Sequence, residues 1–505
     1  MASSATPRRL HSSLTSPLLH TKPSQPQPQS KSHSRLGLPL SIPHFSTRYL
    51  VLAITLMQAV GCLYLLQSRF GGDVGLGLQL SLGSKSLAAC IEGGGIGRTA
   101  GAKDTLDMPL LATSRPAGLL RDNLRADVKY ITAWPTNGWS NQVIQFMHLI
   151  YLARLTERVP ILPRFRHENG GSSVDIDFGA VFDLERLRNQ LRTPILEWKD
   201  VKDVDSDKLE ELGCWDIHHK TWESDPGLLQ APTKLTTTSS DVSYTPVPEW
   251  VRSGMNMRED DLSLLMWPLA SLVSFSERAI ALRRLPEPIR SPTNDAALPP
   301  DDHLFCTNTL EFERGMEALQ GRADMSPAWQ SVGRHMRWTP AVDALAANAT
   351  RATLGLAGDA PVPPYVVVHI RRGDFTGWCE ADGVPLEECF APLAAYERRV
   401  REVRAEILED TGVFVERVLV TGDEANPGWW EAVSALGWLR PDHSATMAKY
   451  GAWYAMFVDA AIQGGAYGFV GTERSAASIL ARRRVAGRGG VAEMVKWGRP
   501  HADDH

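Results

Sequence analysis

The sequence predicts an α/β protein of two Rossmann-like domains facing a cleft, preceded by a single N-terminal transmembrane helix. Three observations carry this prediction. From Tyr365 onward, short β-branched or apolar runs alternate with segments of helical periodicity, the pattern of a parallel sheet covered on both faces. Earlier in the chain a strand, a helix and a second strand between Lys129 and Leu162 repeat that unit. An uncharged apolar block near the N-terminus follows a basic, acid-free stretch. The 505 residues allow two to four domains, and 43% apolar with 22% charged residues is ordinary globular composition. A net charge of -5 argues against a nucleic-acid binder, which is normally basic.

The expected organisation is a disordered cytoplasmic tail (1–48), a membrane signal anchor (49–67), a stem (68–125), a first Rossmann-like domain (126–350) and a second, nucleotide-binding one (351–505). The tail is dense in Ser, Pro, Gln and His, carries Arg8, Arg9, Lys22, Lys31, Arg35 and Arg48, and has no acidic residue. Such a segment buries too little apolar surface to offset its ordering entropy. Leu50 to Leu66 is apolar except for Thr55 and Gln58, at the lower limit of the roughly 17 to 25 residues that a spanning helix needs. Positive charge before it places the N-terminus in the cytoplasm, giving a type II protein whose remainder is lumenal. A cleaved signal fits less well because a long tail precedes the block, and a transit peptide less well because the block is not amphipathic. Gly, Ser and Leu without a sustained period make 68–125 a linker.

In the first domain, Lys129–Trp134 predicts a strand and Pro135–Gly138 a loop. Ser140 is the expected N-cap of a helix to about Glu157, whose Val143, Met147, Ile150, Tyr151 and Leu155 fall on one face. Val159–Leu162 is the next strand. The loop therefore sits at the top of a sheet, where the N–H groups of the helix start favour an anion. Gly138, Asn141 and Gln142 are candidates there, and Asn141 reads equally as a capping amide. Pro194–Trp198 suggests a further strand, Ser224–Pro248 a surface loop, and Leu262–Leu285 and Ala328–Ala347 helices. Asp175 and Asp177 read as a turn, not as a metal-binding pair. Asn348-Ala349-Thr350 is a glycosylation sequon, usable if lumenal.

In the second domain, Val366–Val368 predicts a buried strand that delivers His369, Arg371, Arg372 and Asp374 to the carboxyl end of the sheet, with Gly373 as the turn. The planar, permanently charged guanidinium of Arg371 matches phosphate oxygens, though the cluster also reads as a strand ending in solvated charge. Pro392 opens a helix with Leu393, Tyr396, Val400, Val403 and Ile407 on its core face. Arg417–Val420 is a strand ending at Asp423. Trp429–Leu436 and Ala445–Ile462 are helices. Gly468–Val470 is a strand, and Ser475–Arg484 a helix. The turn Gly471-Thr472-Glu473-Arg474-Ser475 brings hydroxyls and N–H groups to a helix start, which suits a diphosphate and equally suits a helix cap.

Three stretches resemble one known family. His369-Ile370-Arg371-Arg372-Gly373-Asp374-Phe375 after an apolar strand looks like the central motif of the GDP-fucose protein O-fucosyltransferases. Asn137-Gly138-Trp139-Ser140-Asn141-Gln142 followed by Arg158–Pro163 is similar to the family's first motif, and Phe469-Val470-Gly471-Thr472 to its last. The resemblance spans about Tyr130 to Arg484, weakest in the middle third, and implies a two-domain fold of GT-B type. It implies an inverting, metal-independent transfer of fucose from GDP-fucose to a hydroxyl of a protein or glycan. Arg371 would stabilise the leaving diphosphate, with His369, Asp374, Asp423, Thr472, Ser475, Gly138, Asn141 and Gln142 at the nucleotide sugar. No cofactor is implied beyond the donor substrate, no metal and no nucleic acid. No base is evident except Asp374, so late proton loss is the other path. Where the family places a hydroxyl and then an aromatic after the serine, this chain has Ala476 and Ala477. That departure motivates a non-catalytic binding or scaffold role as an alternative, beside transfer from another nucleotide sugar.

The expected location is the Golgi or endoplasmic reticulum membrane. Lumenal cysteines can then pair, Cys379 with Cys389 first and Cys214 with Cys306 second, or remain buried thiols. No cysteine spacing is that of a zinc site.

Overall fold

The computed structural model describes residues 109–166, 175–217, 234–235, 239–248, 251, 266–274, 287–291, 293–308, 310 and 326–504. The expected tail, membrane anchor and most of the stem lie outside the described residues. No helix among those described is long and apolar enough to cross a membrane. The described part is an α/β fold built on two mainly parallel sheets.

The first sheet has seven strands in the order β3-β2-β1-β7-β4-β6-β5. They are β1 (Tyr130–Ala133), β2 (Val159–Leu162), β3 (Leu196–Glu197), β4 (Glu210–Asp216), β5 (Lys234–Leu235), β6 (Ser240–Pro246) and β7 (Leu304–Thr307). All pairs are parallel except β5 with β6. Between β1 and β2 runs α1 (Trp139–Leu155), buried along nearly its whole length. Its cap is Gly138, two residues before the expected Ser140. Cys214 of β4 and Cys306 of β7 are joined by a disulfide.

Further expectations for the chain before residue 360 differ from the structure. Ser240–Pro246 lies in the expected surface loop yet is a fully buried strand. Two of its polar side chains are satisfied by a neighbouring loop: the Asp241 carboxylate accepts from the amides of Thr293 and Asn294, and the Ser243 hydroxyl donates to the Ala296 carbonyl at 2.7 Å. The expected helix over Ala328–Ala347 is three pieces, Pro327–Ser331, Gly333–His335 and α2 (Pro340–Thr353). Pro340 can start a helix but cannot continue one, because it lacks an N–H. The folded part also begins before residue 126, since Leu120 and Asn123 are wholly buried and Leu110 and Leu111 pack against the same cluster as Tyr130.

The second sheet is all parallel, in the order β11-β10-β8-β9. Its strands are β8 (Tyr365–Ile370), β9 (Arg417–Gly422), β10 (Gly468–Thr472) and β11 (Val491–Val495). The helices around it are α3 (Leu393–Thr411), α4 (Pro427–Ala435), α5 (Ser444–Tyr450), α6 (Trp453–Gly465) and α7 (Ala476–Ala486). The two helices α5 and α6 replace the single one expected over Ala445–Ile462. Gly451, at φ 92°, separates them in a conformation that a side chain would resist.

Alternation along β8 divides the core. Val366, Val368 and Ile370 share a cluster with Tyr396, Val400, Val403 and Ile407 of α3, whereas Val367 belongs with residues of α6 and α7. That latter cluster also contains Ile131, Val143 and Phe305 around the first sheet, and the rings of Trp139 and Phe457 meet at 5.2 Å.

Candidate active site

Strand order locates the crevice. The chain leaves β8 for β9 on one side and leaves β10 for β11 on the other, although β8 and β10 are adjacent. Loops leaving neighbouring strands in opposite directions open the gap in which α/β sheets hold ligands. Arg371–Phe375 follows β8, Glu473–Ser475 follows β10, and Asp423 follows β9.

Arg371 is held from two sides. Its Nη2 donates to Asp374 Oδ2 at 2.7 Å, and its Nη1 lies 3.1 Å from Asp423 Oδ2. Its side chain remains 36% exposed. Arg372 turns away and serves the fold. Its amide donates to Asp423 Oδ1 at 2.8 Å, its Nε pairs with Glu424 at 2.7 Å, and its guanidinium covers the rings of Phe390 and Trp429. Asp423, expected from the sequence at the nucleotide sugar, thus braces the arginine loop through both oxygens.

Thr472 is a buried knot. Its hydroxyl accepts from the Arg371 amide at 3.0 Å, donates to the His369 carbonyl at 3.1 Å, and meets the Tyr396 hydroxyl at 2.9 Å. Its own amide donates to Ser478 Oγ, which lies 2.7 Å from His369 Nδ1. Burial, with help from the Arg371 charge, lowers the His369 pKa to about 4, so the ring is neutral at pH 7. Burial likewise pushes Tyr396 up to about 12 and keeps its hydroxyl protonated. Ser475 is the N-cap of α7, its hydroxyl accepting from the Ser478 amide, and is almost fully buried. The sequence alone does not mark Ser478, and it marks Tyr396 only as a core-facing residue of α3. The signal for Ser478 was its place three residues after a capping serine.

The first motif sits across the same junction. Gly138 is exposed and caps α1, and Asn141 lies half-buried in the first turn. Gln142 is a structural clamp: Nε2 donates to the carbonyls of Asn137 and Arg166, and Oε1 accepts from the Arg166 amide. Trp139 and Ser140 share a small cavity of about 10 Å³ with Gln463, Ala477, Ala481 and Arg484, so the starts of α1 and α7 meet.

Cys379 and Cys389 are bonded in the loop after Phe375, and Phe375 packs beside the Arg371 guanidinium at 5.9 Å. Asn348 is exposed on α2, while the Thr350 hydroxyl of its sequon is buried and donates to the Ala346 carbonyl. Among the described residues no group of three or more His, Cys, Asp or Glu is arranged to hold a metal ion.

The model of the GDP-fucose protein O-fucosyltransferase family matches residues 130–406, more than half of the chain. The chain belongs to this family. The O-fucosyltransferase match runs from β1 into α3, so it includes Gly138 to Gln142, His369, Arg371 and Asp374, while Asp423, Thr472 and Ser475 lie beyond it. Among solved structures the chain is similar to POFUT1 in complex with GDP-fucose. One crystal form is 17% identical, with 73% of this chain and 98% of that one covered and a TM-score of 0.41. Another is 16% identical over 74% and 99%, at 0.43. The fucosyltransferase NodZ from Bradyrhizobium is 12% identical over 71% and 93%, at 0.36. No curated protein matches the chain in sequence.

Proposed function

We propose that the protein transfers fucose from GDP-fucose to a hydroxyl of a protein or glycan acceptor, with inversion and without a metal. The observation that carries this is Arg371, which lies within the family-matched residues and is held by Asp374 and Asp423 at the switch point of the second sheet. In the reaction the bond between fucose C1 and the β-phosphate oxygen breaks, the acceptor oxygen bonds to C1, and GDP leaves with added negative charge. A guanidinium fixed in advance stabilises that charge without reorganising. The α7 start adds the first-turn amides of Ala476 and Ala477, whose small side chains leave the amides approachable. His369, neutral and buried, contributes shape and hydrogen bonding but no charge. Asp374 has Oδ2 engaged by Arg371 at 2.7 Å, so it is not assigned as the base. An oxocarbenium-like path with late proton loss follows.

The two disulfides support residence in an oxidising compartment, and with the apolar block at 49–67 they support a type II protein of the Golgi or endoplasmic reticulum. A second reading, a non-catalytic family member, is favoured by Ala476 and Ala477 and by the engagement of the Thr472 and Ser475 hydroxyls within the fold.

Calorimetric titration of the full-length protein with GDP, GDP-fucose and other nucleotide diphosphates tests the donor site. GDP binding that Arg371→Ala weakens, together with release of GDP from GDP-fucose, is expected. Binding without turnover would favour the second reading, and no GDP binding by folded protein would sink the transferase reading and leave the fold as a scaffold.

A further inference from the structure

The segment after β11 does not leave the sheet as a tail. Trp497 stacks on Phe375 at 4.5 Å with ring planes 20° apart, and lies 6.2 Å from Phe390 and 6.4 Å from Trp378. Its indole N–H donates to the Glu473 carbonyl at 2.7 Å, and the Gly498 amide donates to the Cys389 carbonyl at 2.8 Å. Farther on, Asp503 is buried. It accepts from Arg398 at 2.7 Å, from Arg399 at 3.2 Å and from the Lys496 amide at 3.0 Å. One ring thus joins the loop after β8, the disulfide loop and the turn after β10.

We propose that Trp497 is a positioning residue of the donor site. Through Phe375 it sets Arg371, and through the Glu473 carbonyl it sets the turn that leads to α7, so the spacing between guanidinium and helix amides depends on it. Its proposed role runs through Phe375 and Glu473, and it lies beyond the residues that the family model matches. The inference rests on the donor-site reading above.

The distinguishing quantity is the preference for GDP over GMP, because only GDP carries the β-phosphate that Arg371 would hold. In full-length protein Trp497→Ala is expected to lower that preference by about tenfold, the scale of one lost charge-assisted hydrogen bond. Trp497→Phe, which keeps a ring on Phe375, should recover most of it. A change in overall fold would weaken GMP as much as GDP. Asp503→Ala, which unpins the segment without removing the ring, should act in the same direction and serves if Trp497→Ala does not fold. Wild-type preference in the folded variants overturns the proposal. If the wild-type protein itself binds neither nucleotide, the donor-site reading fails. Whether Trp497 braces the two loops is then decided by hydrogen exchange: faster exchange at both Arg371–Phe375 and Glu473–Ser475 in the variants shows that it does, and unchanged exchange overturns it.

Discussion

A Cβ built on Gly373 would stand 2.8 Å from Oδ2 of Asp423. That oxygen also faces the Arg371 guanidinium, and its twin takes the Arg372 amide, so Asp423 has no room to yield. The glycine is required by close approach.

Gly373→Ala should therefore displace Asp423 and loosen Arg371. Overpacking of this kind typically costs about 1–3 kcal/mol. A lower melting temperature and weaker GDP binding, measured on the same preparation, are the expected outcome; unaltered GDP affinity would show that the bracing of Arg371 is unimportant.

Asp423→Asn separates shape from charge. The amide oxygen can still accept from Arg372, so stability should hold, but Arg371 loses one ionic anchor and turnover should fall roughly 10- to 100-fold. Asp423→Ala also leaves the Arg372 amide without its acceptor, adding about 1–3 kcal/mol of destabilisation. Denaturant melts of the two variants beside GDP release from GDP-fucose distinguish these effects.

The disulfides should stabilise unequally. Cys379 and Cys389 are 10 residues apart, and loop-closure entropy assigns that bond roughly 2–3 kcal/mol. Cys214 and Cys306 are 92 apart, which raises the figure to roughly 4–5 kcal/mol. Serine replacements compared by chemical denaturation should preserve that order.

Acid should destabilise the protein through two histidines. Burial lowers both His148 and His369 to about 4, below the usual 6.5. Between those values the unfolded chain binds more protons than the folded one, so stability rises with pH across the window and is lost as pH falls from 6.5 toward 4. At about 1.4 kcal/mol per pKa unit, each contributes up to roughly 3 kcal/mol of that loss. His148→Gln and His369→Gln should each flatten the dependence of unfolding free energy on pH over this range.

Much of the second sheet was legible because Val366–Val368 and Val418–Val420 are apolar runs rich in β-branched residues. β6 was not, because Ser240-Asp241-Val242-Ser243 is a polar string whose partners, Thr293, Asn294 and Ala296, come from a distant loop. β11 was missed for its Ala492 and Glu493. The cluster of His369, Arg371 and Asp374 could be placed at a strand end from sequence. That Asp423 and Thr472 brace the arginine loop could not, since register between β8, β9 and β10 is a tertiary property.

The apolar cluster that runs from Val143 and Phe305 through Trp139 and Phe457 to Val367 and Phe469 carries one more implication. Two lobes that share a core have no separate melting points. A calorimetric scan of the described region should show one endotherm, and either lobe expressed alone should expose the other's contact face and aggregate. Any opening between the lobes is then limited to sliding at the rim, because a wide hinge motion would bring the rings of Trp139 and Phe457 into water.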